Sequence, residues 1–142
     1  MDIRRITATD TLPIRFEVLW PHRSIEFCRV DEDETGLHYG VYVDDELVSV
    51  ASIFTAGRVS RLRKFATKES HQNQGIGSAL LTHIIGELKK EDTQEFWCDA
   101  RESAMEIYKK FGFRSEGDRF YKSDVPYFKM SVRLCSQSNE CE

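Results

Sequence analysis

Apolar positions along the chain change period several times, and the changes mark out its elements. Ile3 to Ala8 is a short strand-like stretch. Thr9, Asp10 and Thr11 follow as candidate helix caps, and Leu12, Phe16 and Leu19 take helical spacing, with Pro13 tolerable in a first turn and Pro21 as a stop. A weaker helical segment covers Ser24 to Val30. Leu37 to Val43 and Leu47 to Phe54 are rich in Val, Ile and aromatic residues around a polar Asp44-Asp45-Glu46 turn, which is a hairpin signal. After a turn at Ala56-Gly57, Arg58 to Thr67 reads as a third long strand.

The strongest helix runs from Gly75 to Lys90. Ile76, Leu80, Leu81, Ile84, Ile85 and Leu88 form one stripe, and Lys89 and Lys90 complement the dipole at its end. Glu95 to Asp99 is a strand. A helix follows with Ala104, Ile107, Tyr108 and Phe111 on one face; Gly112 is its left-handed stop and Phe113 folds back on it. Phe113 to Arg114, Phe120-Tyr121 and Tyr127 to Val132 supply the last strands, with Pro126 at a start or an edge. The order β-α-α-β-β-β-α-β-α-β-β predicts an α+β fold, with a mixed, mostly antiparallel sheet and helices on both faces.

Composition narrows the class. The length of 142 residues suits one domain, expected over 1–134, with a polar, frayed tail over 135–142. A net charge of −4 carries no basic nucleic-acid footprint, and no apolar run reaches the length of a membrane span. Met1-Asp2-Ile3-Arg4-Arg5 returns to polar residues before a signal-peptide core could form, so a cytoplasmic location is expected. Cys28, Cys98, Cys135 and Cys141 are scattered, with no CxxC pair or zinc spacing; reduced thiols and no metal site are expected. Asp31-Glu32-Asp33-Glu34 reads as a solvated loop, the alternative being a greeting surface for a cationic acceptor.

The chemistry concentrates in Phe65-Ala66-Thr67-Lys68-Glu69-Ser70-His71-Gln72-Asn73-Gln74-Gly75-Ile76-Gly77-Ser78. A strand enters a loop whose glycines open a long helix. Such a helix start presents unpaired backbone N–H groups and partial positive charge, and glycine lets them approach a phosphate closely. A plain helix cap is the alternative. No Lys-Ser/Thr follows the second glycine, as a P-loop needs, and Leu80 stands where a dinucleotide fingerprint needs a third glycine.

Gln72-Asn73-Gln74-Gly75-Ile76-Gly77 resembles the Gln/Arg-x-x-Gly-x-Gly/Ala pattern of the GNAT superfamily of acetyl-CoA-dependent N-acetyltransferases. Independently, Ala100-Arg101-Glu102-Ser103-Ala104-Met105-Glu106-Ile107-Tyr108-Lys109-Lys110-Phe111-Gly112-Phe113 is similar to that family's ARxxAxxxYxKxGF segment. The resemblance covers roughly Leu37 to Val132 and implies a three-layer α/β/α sandwich splayed between the fourth and fifth strands. It implies that backbone amides of Gln72, Asn73, Gln74, Gly75, Ile76, Gly77 and Ser78 hold the pyrophosphate of acetyl-CoA. The backbone of Phe65, Ala66 and Thr67 would then pair with the pantetheine arm and polarise the thioester carbonyl. Tyr108 falls where many members protonate the departing thiolate, though its place on an apolar stripe also fits plain core. Arg101 stands where the family often has a cofactor-contacting Asn.

The implied reaction is direct attack by a primary amine on the thioester in a ternary complex. The alternatives are a peptide or protein N-acetyltransferase, a non-catalytic acyl-CoA sensor, and thioester hydrolysis. Arg58 to Phe65 lacks the acid that members commonly use as base; His38 and an ordered-water relay are the candidates. Homodimers are common in the family, and no residue pattern here marks an interface. His71 reads as a solvated loop residue, Trp20 and Trp97 as packing, and Arg61, Arg63 and Lys64 as a basic cluster facing solvent, the cofactor's 3′-phosphate or an acidic acceptor.

Overall fold

Thr7 opens the first helix: its side chain accepts from the Asp10 N–H while Asp10 accepts from the Thr7 N–H, each at 3.1 Å. This reciprocal capping box places the cap one strand-end earlier than the expected Thr9 to Thr11. The computed structural model describes residues 1–134, so the expected frayed tail, with Cys135 and Cys141, lies outside the described residues. β1 (Asp2–Ile6) precedes α1 (Ala8–Ile14), in which Pro13 falls beyond the first turn. The helix widens to a π turn over Arg15–Leu19, closed by Trp20 N–H on the Arg15 carbonyl at 3.3 Å. The segment expected as a second helix is one 3₁₀ turn, Ile25–Cys28, capped by Ser24.

β2 (Leu37–Val43) and β3 (Glu46–Ala56) meet in a two-residue turn whose Asp44 and Asp45 both have left-handed φ, +51° and +66°. That conformation matches strand twist and suits Asp. β4 (Val59–Thr67), α2 (Ile76–Lys90), β5 (Glu95–Arg101), α3 (Met105–Lys110), β6 (Arg114–Lys122) and β7 (Val125–Arg133) follow. A second turn of the same kind, Ser123 at +48° and Asp124 at +66°, joins β6 to β7, and Pro126 is the second residue of β7. Among the described residues the strands form one sheet in the order β1-β2-β3-β4-β5-β7-β6. The described pairings are antiparallel except β4 with β5, whose parallel ladder spans Val59↔Glu95 to Leu62↔Cys98; the sheet splays there.

The chain divides into two units: Met1–Phe54 with Arg63–Ile85, and Thr55–Leu62 with the described residues from Gly86 on. In the first, Val50 packs with Ile14 of α1 and Ala66, while Tyr39, whose register partner is Ala51, meets His83 of α2. Adjacent strand residues point to opposite faces, so the sheet of this unit carries α1 on one face and α2 on the other. Leu80, Leu81 and Ile84 are fully buried, as the helical stripe requires. In the second unit Phe96, Cys98 and Ala100 fill one face, with Phe113 edge-on to Phe96 at 5.6 Å.

Candidate active site

The first unit also buries charge. Arg15 is fully buried; it donates twice to Asp33 (2.9 and 3.0 Å), to Ser52 Oγ (2.9 Å) and to the Cys28 carbonyl (3.1 Å). Asp33, from the run expected to be solvated, is thus turned inward. Burial alone would raise its pKa, but the bonds from Arg15 and the Val30 N–H leave it lowered. His38 is drawn into the same network, 3% exposed, with Nδ1 2.7 Å from Ser52 Oγ and Nε2 2.8 Å from the Asp33 carbonyl. A carbonyl can only accept, so Nε2 carries the proton and Nδ1 takes the Ser52 hydroxyl. Both ring nitrogens are engaged, which removes His38 as a candidate base. The network ties the segments after α1 to β2 and β3.

β4 ends in the same unit. Lys64 has φ of +55°, a left-handed residue inside a strand. Past it, Phe65 and Thr67 are half-buried and Ala66 is buried. Ser49 Oγ donates to the Ala66 carbonyl at 3.1 Å and lies 2.9 Å from the Thr67 hydroxyl, while Lys68 N–H bonds the Val48 carbonyl at 2.8 Å. The strand is therefore fixed to β3 up to the loop.

A 3₁₀ turn at Glu69–His71 then leads to Gln72 (extended), Asn73 (φ +61°) and Gly75 (φ +79°). Two left-handed residues within three curl the chain into the start of α2. Gln72 Nε2 donates to the Thr67 carbonyl (2.9 Å) and Gln74 Nε2 to the Ser70 carbonyl (3.1 Å), so both glutamine side chains brace the loop. Helical bonding begins with Ala79 N–H on the Gly75 carbonyl at 3.0 Å. The amides of Ile76, Gly77 and Ser78 precede that bond and have no i−4 carbonyl of the helix to reach. Gln72, Asn73, Gln74 and Gly75 are exposed. Backbone donors ahead of the first helical bond, at the positive end of a 15-residue helix, suit a polyanion. Glu17, Val18, Glu69 and Gln72 line a shallow recess beside the loop.

The second unit holds the other expected residues. Arg101 ends β5, half-buried, opposite Tyr127, and leads into the 3₁₀ turn Glu102–Ala104. Ala104, expected on the buried face, is exposed, because the chain is still in that turn. Tyr108 is buried, 5.5 Å ring to ring from Phe113. Its carbonyl accepts the Phe111 and Phe113 N–H groups at 3.0 and 3.1 Å, and Gly112 at φ +86° is the left-handed stop that makes this fold-back. Burial drives the Tyr108 pKa well above its usual value, helped by nearby Cys98, so the phenol keeps its proton. The Cys98 thiol is itself pushed up to about 12, mainly by burial, and is no nucleophile. Two residues of the basic cluster are paired, Arg61 with Asp99 at 2.9 Å and Arg63 with Glu32 at 3.4 Å.

Sequence reasoning missed Arg15, Asp33 and Ser52, because their partners lie 18 and 37 residues from Arg15 along the chain. No group of His, Cys, Asp and Glu suited to a metal ion occurs among the described residues, and none of their helices is long and apolar enough to cross a membrane.

Known proteins share this architecture. An uncharacterized N-acetyltransferase of Bacillus subtilis, YitI, is 36% identical over 135 residues, covering 89% of each chain. The ribosomal-protein-S18-alanine N-acetyltransferase from Escherichia coli aligns with a TM-score of 0.80 at 19% identity, over 99% of this chain and 98% of that one. A GNAT family acetyltransferase from Elizabethkingia anophelis, solved with acetyl-CoA bound, gives 0.72 at 21% identity, over 94% and 97%. The family model of the GNAT acetyltransferase domain matches residues 24–134. With that match across most of its length, the β4-loop-α2 arrangement and the bacterial relative, the chain belongs to the GNAT acetyltransferase family.

Proposed function

We propose that the protein moves an acetyl group from acetyl-CoA to a primary amine by direct attack in a ternary complex. The observation that carries this reading is the loop: left-handed Asn73 and Gly75 turn the end of β4 into the N-terminus of α2, with the amides of Ile76, Gly77 and Ser78 ahead of the first helical bond. In this reading the amides from Asn73 to Ser78 hold the pyrophosphate, the Gln72 N–H being taken by the Glu69 carbonyl at 3.3 Å, and the backbone of Phe65, Ala66 and Thr67 meets the pantetheine arm and polarises the thioester carbonyl. Acetyl-CoA bound to a protein of the same fold supports the choice of donor. Arg101, at the end of β5, is assigned to the cofactor as well.

Tyr108 is assigned the proton for the departing thiolate. A phenol whose pKa is held high is protonated at neutral pH, and a thiolate leaving a tetrahedral intermediate takes that proton as the C–S bond breaks. The amine must lose its proton before attack; with His38 engaged, ordered water is the acceptor of that proton.

Calorimetric titration with acetyl-CoA tests the reading. A Kd in the micromolar range, about −8 kcal/mol, is expected, with CoA alone as comparison. Gly77→Glu places a carboxylate among the phosphate donors and abolishes binding. No heat at roughly millimolar ligand would reduce the loop to a helix cap. Tyr108→Phe keeps acetyl-CoA affinity and lowers kcat by about 10²–10⁴ in an amine-acceptor assay; an unchanged kcat would return Tyr108 to the core.

A further inference from the structure

In the second unit β5 alternates strictly. Phe96, Cys98 and Ala100 are buried, while Glu95, Trp97, Asp99 and Arg101 form a half-buried face. Register places Arg61 beside Trp97, Asp99 beside Lys129 and Lys129 beside Glu116, all on that face. Three cations converge there. The Arg61 guanidinium lies 4.5 Å over the Trp97 ring and donates Nη2 to Asp99 Oδ2 at 2.9 Å. Lys122 Nζ bonds the same oxygen at 3.0 Å. Lys129 Nζ is 4.9 Å from the Trp97 ring, and its carboxylate partner, Glu116 on edge strand β6, is 3.6 Å away. Two carboxylates thus answer three cations, in a chain that is acidic as a whole.

One donor in this cluster is unmet. Arg61 Nε is buried and has no hydrogen-bond acceptor among the described residues. Guanidinium N–H groups are arranged to grip a carboxylate side by side, and a buried donor without an acceptor is costly to keep. The cluster also has a telling place: Arg61 and Asp99 flank Leu62↔Cys98, the last pair of the parallel ladder, where β4 leaves β5. The reading above assigns β4 just past that pair to the pantetheine arm.

We propose that this face is the acceptor's anchor and that it takes a carboxylate, so the acceptor carries an acid group as well as its amine. The inference rests on the acetyltransferase reading and narrows its substrate class. The carboxylate accepts from Arg61 Nε, and Lys129 supplies the second positive charge beside Trp97. A diamine fits poorly, because its second ammonium meets the surplus positive charge.

The test is a nitrogen-15 NMR titration of the full chain, saturated with CoA, with glycine, β-alanine and γ-aminobutyrate, their carboxamides, and putrescine. The Trp97 indole N–H and Arg61 Nε–H signals are the reporters. At least one amino acid is expected to shift both, with affinity about tenfold above its carboxamide and above putrescine. In Arg61→Gln that preference, read at Trp97, falls to about one. Equal responses to acids, amides and diamine, or silent reporters at roughly 50 mM of every ligand, would overturn the proposal. The amides of Gly75 to Ser78, followed in the same samples while CoA is added, separate the two readings. A silent loop with responsive Trp97 removes the cofactor reading and leaves the anion face; a responsive loop with silent Trp97 removes only the anchor. The loop response in Arg61→Gln also shows that the variant is folded.

Discussion

The two units bury titratable groups in opposite ways. The first encloses an ion pair, Arg15 with Asp33, wrapped by Ser52, His38 and the Cys28 carbonyl. The second encloses neutral groups, the Cys98 thiol and the Tyr108 phenol, among Phe96, Phe113 and Met130, and leaves its charges on a half-buried face. An ion can be buried only with its counterion and hydrogen bonds in place, whereas a thiol or phenol is buried readily so long as it keeps its proton. The first arrangement therefore resists substitution least, and the second resists alkali least.

Removing one ion tests the first half of that contrast most severely. Arg15→Met leaves Asp33 buried without its partner and is expected to cost about 3–5 kcal/mol in urea denaturation. Adding Asp33→Leu to it should restore more than half of the loss, because an apolar pair of similar volume carries no desolvation cost. A single variant within about 0.5 kcal/mol of wild type would mean that the pair contributes little.

Alkali tests the second half. Cys98 moves from an ordinary value of 9.0 to about 12 on folding. A raised folded pKa means that the native state holds its proton more tightly. The stability is therefore fully present below pH 9 and is lost as pH rises toward 12, by roughly 1.4 kcal/mol per unit. Tyr108 adds to the loss above pH 10. Cys98→Val should flatten this limb of the melting profile; an unchanged slope would exclude the thiol as its cause. Acid acts through the first unit. Asp33 is lowered from 3.8, so its contribution is present above that value and disappears only as pH falls through the lower folded pKa. Asp33→Asn should remove that part of the acid limb.

The loop gives a smaller effect. At Gly75 a Cβ would meet nothing within 4 Å, so the cost of a side chain there is the backbone conformation alone, φ +79°. Gly75→Val should lose about 1–2 kcal/mol, and Gly75→Asn markedly less, as Asn73 already adopts the same region. Equal losses would locate the strain elsewhere. Thr7→Ala, which removes the capping box, should cost about 1 kcal/mol by thermal melting, the smallest of these changes.

Much of this was legible in the chain. The stripe from Ile76 to Leu88 fixes α2, because a helix has one buried side at a 3.6-residue period. Asp44-Asp45 announces its hairpin through residues that tolerate left-handed φ, and Gly112-Phe113 announces the end of α3. The loop that opens α2 was legible for a similar local reason: glycine spacing and a following amphipathic helix are properties of one short segment. Legibility failed where a side chain's partner is remote. Asp33 reads as solvated among four acids until Arg15 appears beside it, and His38 reads as a base until Ser52 and the Asp33 carbonyl occupy its two nitrogens. The Ser123-Asp124 turn was not read, although Asp124 adopts the same left-handed region as Asp44 and Asp45.

The sequence by itself determined the order of the strands and of the three α-helices, the family and the loop that opens α2, since each depends on periodicity or on backbone conformations that only certain residues accept. Tertiary structure alone decided which charges are buried, which histidine is spent, and that Arg61 reaches Asp99 while its Nε stays unmet. The last of these follows from register between strands 38 residues apart, and register is set by the packing of whole faces rather than by any local pattern.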